Sequence, residues 1–425
     1  MDVDQIRRLK PELTRYLKQF DSSFPRRDTR AHMSVYVEGQ LSDLPAKSCE
    51  PIALGAGMPP RTLQEFLANY RWDEDRMRTK VHQIVRRDHA GPNSIGLIDE
   101  TSDVKKGNKT PGVQRQWCGA VGKQENCIVT VHLGYARDDF HCLLDGELYL
   151  PESWSEDRPR CREAGIPDEL VYRSKWRIAL ELYDRAHQNG LHFRWLTFDE
   201  GYGSKPLFLQ GLDERGQCFV AEVPVIFSCW ASEPRVTTRP YQRTGGGRPR
   251  RTPRLTADSS KPSGVRDLLN HSPALRDQDW VRYHVKDGQK GPLVWEVKHT
   301  HVAMKDDQGL PGLPLHLVVA RNALDTDEVK FFVSNASRDA SIQTLLLVAF
   351  SRWRVERCFQ DQKQAIGLDQ WEGRHYVGLR RHLILSCVSY LFLARVNNRL
   401  RGEKSRAHRL PSPHRRRRPG RELVA

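Results

Sequence analysis

Two short apolar runs, Ser94-Ile95-Gly96-Leu97-Ile98-Asp99 and Phe193-Arg194-Trp195-Leu196-Thr197-Phe198-Asp199, each stop at an aspartate, and they constrain the fold most. Runs of this length bounded by polar breaks read as strands and are too short for helices. Residues 114–121 and 127–135 repeat the strand pattern, with Gly107, Gly112, Gly119 and Gly122 in the breaks. A helix is expected over 174–189, a second helical piece over 205–212 and a strand over 217–223. Strands, then helix, then strand, predict an α/β layered sheet.

Outside that stretch the pattern changes. Residues 6–20 and 60–89 carry apolar positions at three- and four-residue spacing, with Pro59-Pro60 as a helix start, so the first 90 residues read as mainly helical. Residues 62–67 followed by 76–87 read either as a helical DNA-binding unit or as a plain bundle. Residues 231–270 are rich in Arg, Pro, Gly, Thr and Ser without periodicity, a linker. Within it, Gly245-Gly246-Gly247-Arg248-Pro249-Arg250-Arg251 resembles an AT-hook, in which Arg248 and Arg250 would enter a narrow minor groove. Strand patterns return at 293–298, 315–320 and 328–333, and two long helices are expected over 341–365 and 376–400. The apolar stretch 383–394 is too short to span a bilayer and reads as a buried helix, and Met1-Asp2-Val3-Asp4 does not open a signal peptide.

The net charge is +15, and it is concentrated. Residues 235–266 hold nine Lys/Arg against one acid, and residues 401–425 nine against two, which together account for the whole excess. Cationic segments on a neutral body suggest a polyanion partner or solvated linkers, and neither segment has the apolar face of a membrane-surface helix. The nine cysteines are scattered, with no Cys-x-x-Cys pair. That argues against a zinc site and a disulfide framework and fits a reducing cytosol.

Arg352, Glu356 and Lys363 are spaced i, i+4, i+11, which places them on one stripe of an α-helix. Such a stripe is either a solvated charge row or a metal-binding acid flanked by phosphate-binding cations. Two-metal phosphodiester chemistry needs carboxylates converging from separate elements, with the ions about 3.5–4 Å apart. Asp99 and Asp199 at strand ends and Glu356 on a helix fit that need, since magnesium takes oxygen ligands. Glu100, Asp103, Glu200 and Asp361 compete for the role, and each aspartate alone reads equally as a cap. Lys105 and Lys106, just after Asp99, read as phosphate-steering or as plain surface lysines.

At these residues the chain resembles the DDE transposases of bacterial insertion sequences, in the group with the signature Tyr-x2-Arg-x3-Glu-x6-Lys. Arg352, Glu356 and Lys363 match the spacing, residues 98–107 resemble the first-Asp block and residues 197–203 the second. Residues 149–154 and 367–369 add to the likeness, which covers roughly residues 20–400. The signature's tyrosine position is Ala349, with Phe350 beside it. Trp230, Trp280 and Trp295 read either as core or as the aromatic that holds a flipped base in related enzymes.

The resemblance implies an α/β (α+β) fold with an RNase H-like mixed sheet flanked by helices, interrupted by a β-rich insertion. It divides the chain into a helical DNA-binding domain (1–90), the first part of the catalytic core (91–230), a basic linker with a β-rich insertion (231–335), the core's C-terminal helices (336–400) and a basic tail (401–425). It also implies that Asp99, Asp199 and Glu356 bind two Mg2+ ions, with Mn2+ as a substitute, while Arg352 and Lys363 contact phosphates. Double-stranded DNA, both terminal inverted repeats and target, would be the partner, bound by a homodimer on paired ends. The setting would be bacterial cytoplasm at the nucleoid, without a membrane. The expected activity is cleavage at element ends followed by strand transfer. A catalytically dead DNA-binding relative, and an RNase H-like nuclease that cuts without joining, are the alternatives.

Overall fold

A computed structural model describes residues 3–240, 251–288 and 291–409. Arg248, Arg250 and most of the basic tail lie outside the described residues. The chain opens with five helices, α1 (Val3–Leu17), α2 (Arg27–Gln40), α3 (Cys49–Gly55), α4 (Pro60–Ala68) and α5 (Glu74–His89). The pattern over 60–89 is thus two helices, broken at residues 69–73, where the Asp73 side chain caps α5 by accepting from Arg76 N.

Four strands follow: β1 (Ile95–Val104), β2 (Gln114–Cys118), β3 (Lys123–Arg137) and β4 (Phe140–Leu148). β4 has no counterpart among the expected strands. Then come α6 (Lys175–Gln188), β5 (Trp195–Phe198), α7 (Pro206–Glu214), β6 (Phe219–Glu222) and β7 (Ser228–Trp230). The rest includes β8 (Ser263–Gly264), β9 (Val281–Gly288), β10 (Gly291–Lys305), β11 (Pro311–Asn322), β12 (Val329–Ser334), α8 (Ile342–Ala349), α9 (Trp353–Asp361) and α10 (Tyr376–Arg409).

β1 runs antiparallel to β3 and parallel to β5, β5 is parallel to β6, and β3 is antiparallel to β4. This is the mixed RNase H-like sheet flanked by helices. The β-rich segment is not a separate layer: β12 pairs with β6, β11 with β12 and β10 with β11, so one sheet of twelve strands runs through both parts. Pairing on β6 removes an exposed sheet edge beside the first strands.

Helix α10 is the axis of the helical side. Its segment Tyr376–Arg401 is long and apolar enough by length and composition to cross a membrane, yet most of it is buried inside the fold. Leu383, Ile384, Leu385, Val388 and Leu391 are buried, as expected for a core helix. The N-terminal helices close over it through polar as well as apolar contacts. Tyr16 Oη donates to Val388 O (2.9 Å), Gln40 Nε2 to Ser386 Oγ (3.0 Å), and Tyr36 Oη meets His382 Nδ1 (2.8 Å). One continuous hydrophobic core therefore joins the helices to the sheet.

The long helix expected over 341–365 is divided. α8 ends at Ala349, α9 begins at Trp353, and Gln362–Ile366 winds as a π-turn closed by Gly367 at φ 81°. The division lets α8 pack on β5 and β6 while α9 packs on β1, β3 and β4. Only glycine adopts that φ without strain, and Gly367 N donates to Gln362 O at 2.9 Å.

Candidate active site

The parallel register decides where the two aspartates go. Leu97 lies opposite Thr197, so two residues further along each strand Asp99 and Asp199 stand side by side. They reach that point differently. β5 stops at Phe198, and Asp199 caps the short turn Glu200–Gly203, accepting from Tyr202 N at 3.3 Å. β1 does not stop at Asp99. Pairing with β3 carries it on to Val104, so Asp99 is a mid-strand residue rather than the strand end expected. The same register continues into β6, where Phe198 lies opposite Ala221 and the next residue is Glu222. Three adjacent strands therefore present acids in a row. Gly203 is needed here, because a Cβ at that position would lie 2.0 Å from Glu222 O.

The row is short of positive charge. Asp99 is buried, and its Oδ1 accepts from Glu100 N at 2.7 Å. Burial, and then the charge of Asp199, push its carboxyl up to about 8, against the opposing pull of that N–H and of Arg352. Asp199 is also raised, by burial first and then by Glu100. Glu100 itself is bound elsewhere, to Lys175 and to Tyr202 Oη. Two adjoining carboxylates of hard oxygens that repel one another are a fitting donor set for a divalent cation such as magnesium.

Arg352, at the start of α9, is the cation at hand. Its guanidinium lies 3.0 Å from Glu356 Oε1, 3.4 Å from Glu222 Oε2 and 3.9 Å from Asp99 Oδ2. Burial alone would lower its pKa, but Glu222, Glu356, Asp99 and Asp199 together raise it. Glu356 is more than half exposed, in the first turn of α9, where the helix dipole favours an anion. The structure thus brings Asp99, Asp199, Arg352 and Glu356 to one place.

The remaining predicted cations sit elsewhere. Lys363 does not continue the face of Arg352 and Glu356 into open space, because the π-turn carries it against β1. There its Nζ donates to Ser102 O (2.9 Å) and pairs with Asp103 Oδ1 (3.1 Å). Lys105 is half-buried, its pKa lowered by burial, and donates to Trp371 O (2.6 Å) and Asp369 O (3.2 Å). Lys106 is exposed. Of the aromatics, Trp230 is buried and donates to Ser260 O, Trp295 is buried against Phe350, and Trp280 lies between Lys298 and Arg321.

Several residues of the site were not singled out by sequence. Glu222 ends β6, but in the sequence the expected strand runs on to Val223, so the polar stop that marked Asp199 passes over it. A groove of about 1400 Å³ opens beside Glu222 and Glu356, lined by the cations Arg282, Lys286, Lys330, Arg354 and Arg357 and by the acids Asp139, Asp287 and Asp361. Trp353 on its wall is exposed, with Lys286 Nζ 4.8 Å from its ring centroid. Desolvation, with Arg354 nearby, pulls Lys286 down to about 8. Ala349, at the signature's tyrosine position, is buried at the edge of this groove and has no hydroxyl to offer.

Residues 19–292 match the DDE superfamily endonuclease family. That is more than half of the chain, and the chain belongs to this superfamily. The matched span contains Asp99, Asp199 and Glu222 and ends before Arg352 and Glu356. The chain is also similar to a probable transposase for insertion sequence element IS701 from Microchaete diplosiphon, 33% identical over 213 residues. The alignment covers 49% of this chain and 52% of the relative, so the chain spans about half the length of the curated relative it matches.

Proposed function

We propose that this DDE superfamily endonuclease is an insertion-sequence transposase, with Asp99, Asp199 and Glu356 as its catalytic carboxylates. The reading rests on one observation: the β1–β5 register sets Asp99 beside Asp199, both raised in pKa, with Glu356 joined to Asp99 through the shared Arg352. The similarity to a probable IS701 transposase supports the choice of DNA as substrate. Two Mg2+ ions held by these three side chains would supply Lewis-acid activation of the attacking oxygen and charge stabilisation at the leaving one.

The chain's own groups do the rest. Buried Asp99 and half-buried Asp199 keep the donor oxygens in a fixed, poorly solvated position. Arg352 pairs with Glu222 and Glu356 in the resting protein and, when the acids are occupied, is free to bind a DNA phosphate bidentately. The cationic groove carries the DNA backbone past Glu356, and exposed Trp353 offers a stacking face to an end base. In the first step water attacks the phosphodiester at the element end and releases a 3′-hydroxyl. In the second that hydroxyl attacks a target phosphodiester and displaces its 3′-oxygen, with a homodimer holding paired ends together.

Asp99→Asn and Glu356→Gln are expected to lower Mg2+-dependent cleavage of an element-end duplex by about a thousandfold or more while DNA binding persists. Full cleavage in either variant overturns the assignment. Glu222→Gln separates Glu222 from Glu356, the two acids closest to Arg352. Glu222 has Lys330 at 2.8 Å as a second partner and anchors the arginine, so the expected loss is only about tenfold. If Glu222→Gln is as inactive as Asp99→Asn and Glu356→Gln is not, Glu222 is the third ligand.

A further inference from the structure

Away from the carboxylates, β10 carries His299 and His301 two residues apart, on one face of the strand. β11 pairs with it so that His316 lies directly opposite His301, and Val318 opposite His299. The ligating nitrogens of the three histidines lie within 4.8 Å of one another. His299 Nε2 is 2.9 Å from His316 Nδ1, and His316 Nε2 is 3.0 Å from Ser337 O. A carbonyl only accepts, so the proton of His316 is on Nε2 and its Nδ1 presents a lone pair towards His299. An imidazole held through its far nitrogen by a backbone carbonyl is oriented as metal-ligating histidines are.

The frame is rigid. Gln278 clamps the His299 backbone from both sides, donating to its carbonyl at 2.8 Å and accepting from its N–H at 3.2 Å. His316 is buried, His299 half-buried and His301 exposed, so the cluster is closed from below and open to solvent above.

We propose that His299, His301 and His316 form a binding site for a divalent transition metal of the zinc class, separate from the carboxylate centre. Three imidazoles suit zinc, cobalt, nickel or copper and not magnesium, which prefers oxygen. Two nitrogens at about 2.0–2.1 Å from one tetrahedral zinc lie about 3.3 Å apart, so the His299–His316 pair needs a shift of only a few tenths of an ångström. The open side leaves a fourth position for water. The bound ion would cross-link β10 and β11. Through the His316–Ser337 bond it would also brace the segment between β12 and α8, which leads on to Arg352 and Glu356. A His-x-His pair completed across a strand needs no Cys-x-x-Cys pair, so scattered cysteines do not speak against zinc here.

The test uses the full chain, stripped of metal with a chelator and titrated with Co2+ and then Zn2+ in the presence of excess Mg2+. The expected result is one Co2+ per chain with the visible absorption of a nitrogen-ligated ion, displaced by Zn2+, and a zinc-dependent rise in Tm. His301→Ala, a change at an exposed position, should keep the fold and weaken binding by about tenfold or more. His299→Ala should do the same, whereas an Asp99→Asn, Asp199→Asn double variant should retain the signal in full. Unchanged affinity in both histidine variants, absence of the cobalt spectrum in the wild type, or loss of the signal in the aspartate variant overturns the proposal.

Discussion

Two buried aspartates in the same sheet end up with opposite electrostatics. Asp145 on β4 sits between Arg78 Nε at 2.6 Å and Arg185 Nη1 at 2.6 Å. Burial raises its pKa, but those two cations outweigh it and hold the carboxyl down to about 2. Asp99 on β1 is also buried, though less deeply, yet the residue beside it across the β1–β5 register is Asp199, and it is pushed up to about 8. Burial is common to both, so the difference lies in who supplies the positive charge. The protein neutralises Asp145 from its own chain and leaves Asp99 and Asp199 one cation short. That deficit, and not burial, is what sets the Asp99 carboxyl apart from the paired Asp145.

Removing the charge from each site should break the symmetry most visibly. Asp145→Asn leaves Arg78 buried without its main partner and is expected to cost about 3–5 kcal/mol in denaturant unfolding. Asp99→Asn relieves a repulsion, so the metal-free variant should be at least as stable as the wild type at pH 8. Equal destabilisation by both substitutions would show that Asp99 is charge-paired as Asp145 is.

The pH profile should divide the two next. The folded-state pKa of Asp99 is raised, so between about 4 and 8 the folded protein holds a proton that the unfolded chain has lost. Its contribution to stability therefore falls as pH rises through that window, and metal affinity increases until about pH 8. Added Mg2+ should flatten the fall. The folded-state pKa of Asp145 is depressed, so its stabilisation is complete above the unfolded value and disappears as pH drops towards about 2. Metal-free melting curves from pH 3 to 9 that show no decline above pH 5 would contradict the first half.

The smallest effect concerns Lys363, which follows the Asp145 pattern in being paired by its own chain. Lys363→Met should cost about 1 kcal/mol of stability through Asp103 and leave the salt dependence of DNA binding unchanged. A shallower salt slope would return it to the role of a phosphate contact.

Most of the sheet's strands, and the positions of Asp99 on β1 and Asp199 just after β5, were legible because strand period is a local feature of the chain, although β4 was missed and β1 runs on past Asp99. Helix α10 was legible for the same reason, from a continuous apolar run. Glu222 was not, since nothing next to it in sequence distinguishes it from any strand-end acid. Its meaning comes from lying one strand beyond Asp199. The break between α8 and α9 escaped notice because no Pro or Gly marks it, and packing on different strands imposes it.

By itself the sequence determined a mixed α/β sheet, two acids on strands and an Arg-x3-Glu pair at one helix start. Only the tertiary structure decided that the acids adjoin, that Arg352 lies among them while Lys363 pairs with Asp103, and that three histidines meet across β10 and β11. The physical reason is register. Local periodicity says which face a side chain takes, but strand pairing alone decides which distant residue shares that face.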